Sequence, residues 1–274
     1  MEKAYKIAES VRYSYDKHEE VLDRGRNAEM RVSAYHNWGL KVSPEMTPKI
    51  YENLEKVCNR LGVNIEKINA FVLSRSTLNA HCIDFGADKG CIIGLHSKLI
   101  NMMTPEEVQF IIGHEIGHFL FHHNYFDSDP EVTLEESAKS RAGEISADRI
   151  GLLGCNDIDA AIHTIIRMQS GLTDEFLNKD LIAYLKQMEN EKDYRIHLSK
   201  DTHPSSRIRV KALMRFAASN LYRGITNKEE IIMQANSGSI VDQNGDDIDA
   251  QIKADLDGYF EKKKHPEGEL RRYN

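Results

Sequence analysis

The chain has 274 residues, 41% hydrophobic and 29% charged, which suits one domain of generous size, or a domain with helical extensions, and allows a substantial buried core. Its 36 Lys and Arg against 43 Asp and Glu leave a net charge of −7. The chain therefore lacks the basic excess with which nucleic-acid binders neutralise phosphates, and we expect no nucleic-acid partner.

Targeting signals and cysteine usage indicate the compartment. The N-terminal stretch has charges every few residues and so no apolar signal-peptide core. No later stretch has the uninterrupted apolar length of a membrane span. The four cysteines form no CxxC pair, which argues against a zinc knuckle or a disulfide framework and favours a reducing compartment. We therefore expect a cytoplasmic protein without an integral membrane segment.

The first part of the chain predicts a helical extension and then a small sheet. Apolar residues at helical spacing predict an amphipathic helix over residues 1 to about 30, on the stripe Ile7, Val11, Tyr15 and Leu22. A second helix is predicted to open at Thr47-Pro48 and to end at Gly62. Runs rich in Val, Ile, Phe and Cys predict strands at 70–73, 81–85 and 91–95.

From Thr104 onward the pattern is mostly helical. Thr104, Pro105 and Glu107 combine an N-cap, a first-turn proline and a capping-box glutamate, and they open a helix that should run to about His123. A polar, acidic stretch over 124–136 ends it. Further helices are predicted at 136–153, 157–169, 173–190 and 205–222.

These elements suggest three regions. We place an N-terminal helical extension at 1–43, the main domain at 44–222, and a charged C-terminal tail, partly helical or disordered, at 223–274.

The residues His114-Glu115-Ile116-Gly117-His118 form an HExxH sequence inside the capped helix. Histidines at i and i+4 lie on one helix face, where both can ligate a single Zn²⁺. Glu115 is near enough to act on water at the metal without binding the metal itself. Because HExxH also arises by chance in unrelated chains, a third ligand is needed to support a zinc site.

The third ligand is sought further along the chain, since zinc hydrolases use three protein ligands and leave a fourth position for water. The metzincin pattern fails, because it would need Gly and His where the chain has Phe121 and Asn124. Glu144 and Asp148, one turn apart on the next predicted helix, fit the gluzincin pattern. Glu144 can bind the metal while Asp148 accepts a hydrogen bond from a ligand histidine. The alternative interpretation is that both are ordinary solvated helix charges.

Three motifs in this order resemble the CAAX-prenyl-protease/HtpX-type zinc metallopeptidases. Residues 113–118 match the HExxH helix of that family, 141–153 match its ExxxD helix, and 202–210 match its S/T-H-P segment. The resemblance covers roughly residues 44–222. It implies an α+β, zincin-like fold, mostly helical, with a small sheet beside the HExxH helix. Because the chain has no membrane spans between these motifs, it resembles the soluble branch of the family.

The resemblance also implies an activity. It suggests a soluble zinc endopeptidase with one Zn²⁺ per chain, peptide or protein substrates, and Glu115 as the general base. His203 is expected to stabilise the oxyanion, with Arg209 holding the local structure. The alternative is that His203 has only a structural role, as a histidine at the start of a helix before Pro204.

Extended substrate is expected to pair with an edge of the small sheet. Asn79-Ala80 resembles the family's Asn-Ala segment near that edge. The strand 91–95, with Ile92 and Ile93, is our predicted edge for backbone hydrogen bonds to substrate.

Two alternatives stay open, as does the oligomeric state. The first is an autoinhibited or weakly active zinc-fold protein with a regulatory or chaperone-like binding role. The second is a regulatory protease of the ImmA/IrrE type, whose third ligand likewise follows HExxH closely. His203-Pro204 and Asp148-Arg149 favour the HtpX-like family, and the intact Glu115 argues against loss of catalysis.

Overall fold

The structure, a computed structural model, describes residues 1–16, 28–123, 134–178, 180–190, 203–227, 240 and 246–260. The strands are β1 (Gly39–Lys41), β2 (Ile68–Leu73), β3 (Ala80–Asp84) and β4 (Cys91–His96). The helices are α1 (Glu2–Val11), α2 (Ala28–Trp38), α3 (Pro48–Leu61), α4 (Ser97–Met102), α5 (Pro105–Phe121), α6 (Leu134–Cys155), α7 (Ile158–Ser170), α8 (Leu181–Asn190), α9 (Ser206–Ala218), α10 (Asn220–Thr226) and α11 (Ile248–Phe260). The expected α+β class is confirmed as a mostly helical fold with a small mixed sheet.

The sheet has the strand order β1-β2-β4-β3. β2 and β4 run parallel, and the outer strands pair antiparallel with them. β4 is therefore an interior strand whose backbone bonds to neighbours on both sides, and Ile92 and Ile93 are fully buried. The prediction that Ile92 and Ile93 form the substrate edge is wrong. The edge strand that packs beside α5 is β3, which begins at Ala80.

Helix α5 begins with the capping residues that the sequence predicted. The Thr104 hydroxyl accepts from the Glu107 amide at 3.3 Å, and the Glu107 carboxylate accepts from the Thr104 amide at 2.8 Å, which completes the capping box. All residues from Glu107 to Phe121 are buried, so α5 is a central helix of the molecule. It ends at His122, whose left-handed backbone (φ 61°) turns the chain just before the predicted end.

Helices α5 and α6 pack backbone to backbone, because small residues line their contact. A Cβ added at Gly117 would lie 2.9 Å from the Ala147 Cα, and one added at Gly113 would lie 3.0 Å from the Gly151 Cα. This close approach brings the HExxH face of α5 against the face of α6 that carries Glu144.

The terminal regions are more integrated than the sequence predicted. Helix α1 buries Ala4, Ile7 and Val11 in the main core but ends at Val11, and Leu22 lies outside the described residues. β1 adds residues 39–41 to the sheet, so the sheet begins before residue 44, although the three-region division remains a prediction.

The C-terminal half also differs at several helix boundaries. The helix predicted from residue 173 starts only at Leu181, and Asp174, in the stretch before it, pairs with Arg167 in the last turn of α7. The helix predicted over 205–222 is interrupted at Ser219, whose side chain caps α10. The acidic stretch lies outside the described residues over 124–133, as does most of the tail. Among the described helices, none is both long and apolar enough to cross a membrane.

Candidate metal centre

Three buried donor groups converge where α5 meets α6. The Nε2 atoms of His114 and His118 lie 3.0 Å apart. The Glu144 carboxylate lies 3.6 Å from the His114 Nε2 and 3.4 Å from the His118 Nε2. One ligand atom from each residue falls within 4.8 Å of the other two, and all three residues are buried. This arrangement could hold a metal ion.

Asp148 orients the first histidine. Its carboxylate lies 3.0 Å from the His114 Nδ1 and also accepts from the Arg209 Nε at 2.8 Å and the Arg209 Nη2 at 2.6 Å. Burial pushes the pKa of Asp148 up, but Arg209 and His114 outweigh it and hold that pKa below its usual value. An ionised carboxylate can only accept, so His114 carries a proton on Nδ1, and its Nε2 is the nitrogen that faces Glu144.

Glu144 is the clearest sign that the cluster suits a cation. Burial pushes its pKa up, yet a hydrogen bond with His118 and the charges of His114 and Arg209 hold that pKa well below its usual range. The carboxylate is therefore ionised although it is buried. Its Oε2 atom accepts no hydrogen bond from the described residues. Two imidazole nitrogens and one carboxylate oxygen match the donor set of a catalytic zinc site.

Glu115 follows His114 directly on α5 and so lies beside this cluster. Its side chain is buried, and that burial raises the pKa of its carboxyl group. The positive charges that His114 and His118 can carry act in the opposite direction but do not outweigh burial. Glu115 thus has a carboxylate of unusually high proton affinity next to the metal ligands.

The motif after α8 reaches the cluster from a third direction. The His203 Nε2 lies 3.5 Å from the Glu144 Oε1, and the His203 side chain is 65% exposed. Arg209, on α9, contacts Asp148 directly and places its Nη1 3.7 Å from the Glu144 Oε2. Thr202, the first residue of the S/T-H-P segment, lies outside the described residues. The structure thus brings His203 and Arg209 to the predicted ligands, while their roles remain proposals.

The sequence did not single out two residues that lie behind His118. The His118 Nδ1 faces the His123 Nδ1 at 3.0 Å, and the His123 Nε2 lies 3.1 Å from the Asp16 Oδ2. No spacing pattern predicts this contact, because it depends on the turn at His122 and on a segment more than one hundred residues upstream. The one sequence signal is an acidic residue and a histidine near the ends of α1 and α5.

The predicted sheet-edge residues fall in two groups. Ala80 begins the edge strand β3, and the Asn79 carbonyl accepts from the His96 amide at 3.1 Å, which ties it to the end of β4. Ile92 and Ile93 lie in the interior strand and are kept from substrate by their neighbours. Cys82, on β3, is a free thiol whose pKa burial raises well above its usual value.

Comparisons with known proteins agree with this site. Residues 44–128 match the family model Peptidase family M48, which includes the HExxH helix. The chain is 33% identical over 113 residues to Metalloprotease LoiP of Escherichia coli, covering 38% of this chain and 42% of that protein. It is 24% identical over 144 residues to the chloroplastic Plastoglobule-localized metallopeptidase 48 of Arabidopsis thaliana, covering 46% of this chain and 42% of that protein.

These matches confirm the resemblance to the HtpX-like metallopeptidases. The chain spans about two fifths of the length of each of these relatives, so what the whole relatives do is not transferred by the match alone. No solved structure matches the chain. The expected cytoplasmic location is not confirmed, since one relative is named as chloroplastic.

Proposed function

We propose, from the match of residues 44–128 to peptidase family M48 and from the donor cluster between α5 and α6, that the chain is a zinc-dependent endopeptidase with a zincin-like site of the gluzincin type. His114, His118 and Glu144 would hold one Zn²⁺ per chain. The observation that carries this proposal is the convergence of three buried donors, one of them an ionised carboxylate whose Oε2 accepts no hydrogen bond from a described residue.

The chain's own residues divide the chemistry of peptide hydrolysis. Zinc held at this position would supply a Lewis acid that lowers the pKa of water and polarises the scissile carbonyl. Glu115 takes the proton from the attacking water as the general base. The protonated Glu115 then donates to the leaving amine.

His203 and Arg209 act around this centre. The exposed His203 imidazole stands at the rim of the cluster, where an N–H can donate to the oxyanion that develops on the substrate. Arg209 holds Asp148 by two hydrogen bonds, and Asp148 in turn holds the ring of His114. Arg209 is therefore a positioning residue.

Peptide or protein substrate would lie along β3. Among the described residues, no strand pairs with the outer side of β3, and this strand packs against α5. An extended peptide can add to such an edge by backbone hydrogen bonds, which gives weak sequence selectivity. Asn79 and Ala80 lead into this edge. No contact among the described residues specifically favours an autoinhibited, chaperone-like or ImmA/IrrE-like role.

The test separates a base from a ligand by comparing Glu115→Gln with Glu144→Ala. Glu115→Gln keeps all three ligands, so zinc content and melting temperature should hold while hydrolysis of a labelled casein collapses. Glu144→Ala removes a charged ligand, so zinc affinity and melting temperature should fall together with activity. Glu106→Gln, an exposed glutamate in the first turn of α5, is the matched control and should change none of these.

Metal analysis and melting curves with and without a chelator decide the outcome. Full zinc content and wild-type stability in Glu144→Ala would remove Glu144 as the third ligand and end the gluzincin assignment. His203→Ala should keep its zinc and lose on the order of 10²-fold in hydrolysis. Loss of zinc in that variant would make His203 a ligand, and unchanged hydrolysis would leave it without a catalytic role.

A further inference from the structure

A buried row of three side chains leads from the N-terminal segment to His118. The His118 Nδ1 lies 3.0 Å from the His123 Nδ1, and the His123 Nε2 lies 3.1 Å from the Asp16 Oδ2. The side chains of His123 and Asp16 are both 0% exposed. A carboxylate and an imidazole that give up water completely need good partners, and here they are partners to each other and to His118.

The local structure explains why His123 faces back toward His118. The left-handed backbone of His122 ends α5, and the His123 amide then donates to the His118 carbonyl at 2.9 Å. The His123 ring stacks on Phe121, with ring centroids 5.4 Å apart. The ring is therefore set by the turn and by stacking, not only by its polar contacts.

Asp16 is placed by contacts of its own. Its amide donates to the Tyr13 carbonyl at 2.8 Å, which closes a turn after α1. The Tyr13 amide in turn donates to the Ser146 hydroxyl on α6 at 3.0 Å. The segment that carries Asp16 is thus attached to the same helix that carries Glu144.

The proton positions in this row follow from the donor and acceptor inventory. A carboxylate oxygen accepts, so the His123 Nε2 donates to the Asp16 Oδ2 at 3.1 Å. With that proton on Nε2, the His123 Nδ1 can accept, and the 3.0 Å contact between the two Nδ1 atoms then requires a proton on the His118 Nδ1. This leaves Nε2, the atom that faces His114 and Glu144, as the His118 nitrogen that can bind a cation at the metal position.

We propose that Asp16 and His123 are positioning residues that hold His118 in its Nδ1–H tautomer and aim its Nε2 lone pair at the metal position. The inference rests on the proposed metal centre. Each ligand histidine then has a carboxylate behind it, Asp148 directly for His114 and Asp16 through His123 for His118. The segment after α1, which carries Asp16, is then part of the metal site.

The first measurement needs no substitution. Nitrogen-15 spectra of the imidazole rings in the metal-free wild-type protein, assigned by comparison with His118→Gln, should show His118 protonated at Nδ1 and His123 protonated at Nε2. A His118 ring protonated at Nε2 with its Nδ1 bare would overturn the proposal.

The second measurement is zinc affinity by competition with a chelator. Asp16→Leu removes the acceptor at similar size, whereas Asp16→Asn keeps an acceptor oxygen and is the matched conservative variant. His123→Leu and His123→Asn form a second pair, since the Asn oxygen can take the place of the His123 Nδ1. We expect the Leu variants to lose on the order of 10- to 100-fold in zinc affinity and the Asn variants to recover most of it.

The two proposals fail in different ways. If the wild type binds zinc and Asp16→Leu binds it as tightly as Asp16→Asn does, the positioning role is overturned while the metal centre stands. If the wild type itself binds no zinc, both fall. A general loss of folding would lower the melting temperature of the metal-free Leu and Asn variants alike. The tautomer is measured in the wild-type protein, so that result does not depend on how the variants fold.

Discussion

Arg209 shows how one side chain governs the charge balance around the candidate metal centre. It donates twice to Asp148 and lies 3.7 Å from Glu144, so one cation faces two buried carboxylates. Its side chain is 17% exposed, which leaves little water to replace these contacts. Arginine suits this place because its planar fork of donors fits a carboxylate with two bonds.

Replacing Arg209 with Met should therefore destabilise the zinc-free protein. It leaves Asp148 as a buried carboxylate without its main partner, which costs about 3–5 kcal/mol in comparable cases. Arg215→Met is the control on the same helix, since the Arg215–Asp255 pair is about 30% exposed at each end and should contribute less than about 1 kcal/mol. Urea unfolding in the presence of a chelator measures both, and equal losses would contradict the assignment.

The same substitution should change the acid side of the stability profile. The folded-state pKa of Asp148 lies below its ordinary value of 3.8. At pH values above 3.8 the ionised Asp148 therefore stabilises the folded protein. That contribution is lost as the pH falls through the lowered folded-state pKa. The stability difference between wild type and Arg209→Met should therefore be full at neutral pH and shrink below about pH 4.

At the scale of elements, the contact between α5 and α6 determines whether the ligands meet. Gly117 precedes His118, and Ala147 precedes Asp148, so a point of close backbone approach lies next to the ligand face. A distance set by backbone contact cannot be restored by a side-chain rotation, because there is no flexible group to yield.

Gly117→Ala should therefore lower zinc affinity, on the order of tenfold, by moving α6 and its Glu144 away from α5. Overpacking of this kind costs about 1–3 kcal/mol, and better helix propensity returns only about 1 kcal/mol. Gly154→Ala is the control, since its Cβ would meet the Gly113 Cα and a Val57 methyl at 3.2 Å at the far end of α6. Chelator competition should separate the two variants, and equal zinc affinities would show that the helix spacing does not control the site.

At the scale of the whole molecule, the N-terminal segment and helix α11 both contact Arg149 of α6. The Arg149 Nη2 donates to the Asp249 Oδ1 at 2.5 Å, and the Arg149 Nη1 donates to the Val11 carbonyl at 3.1 Å. Asp249 also accepts from the Ser14 amide at 2.8 Å. Helix α11 is thereby attached both to the segment after α1 and to the residue that follows Asp148.

Asp249→Ala should destabilise the protein by about 3–5 kcal/mol, because Arg149 is left as a buried charge with a side chain only 1% exposed. Asp255→Ala is the control on the same helix, and its partly exposed pair with Arg215 should contribute no more than about 1 kcal/mol. Urea midpoints of the zinc-free variants measure the difference. If the two losses are equal, α11 does not depend on the buried pair.

Local sequence was sufficient where the relevant contacts are local. The capping box at Thr104 and Glu107, the HExxH spacing on α5 and the i, i+4 placement of Glu144 and Asp148 depend only on helix geometry within a few residues. The convergence of His114, His118 and Glu144 could therefore be predicted from two helical segments and a resemblance, and the described geometry brings them together.

Tertiary structure decided whatever depends on contacts between distant parts of the chain. In the observed strand order β4 is interior, although its apolar run is equally compatible with an edge strand and an interior strand. The candidate substrate edge is therefore β3 and not the strand that carries Ile92 and Ile93. The left-handed backbone of His122 turned His123 back onto His118, where it meets Asp16. Helical spacing limits which residues share a face, but only the packed chain brings partners from distant segments within hydrogen-bonding distance.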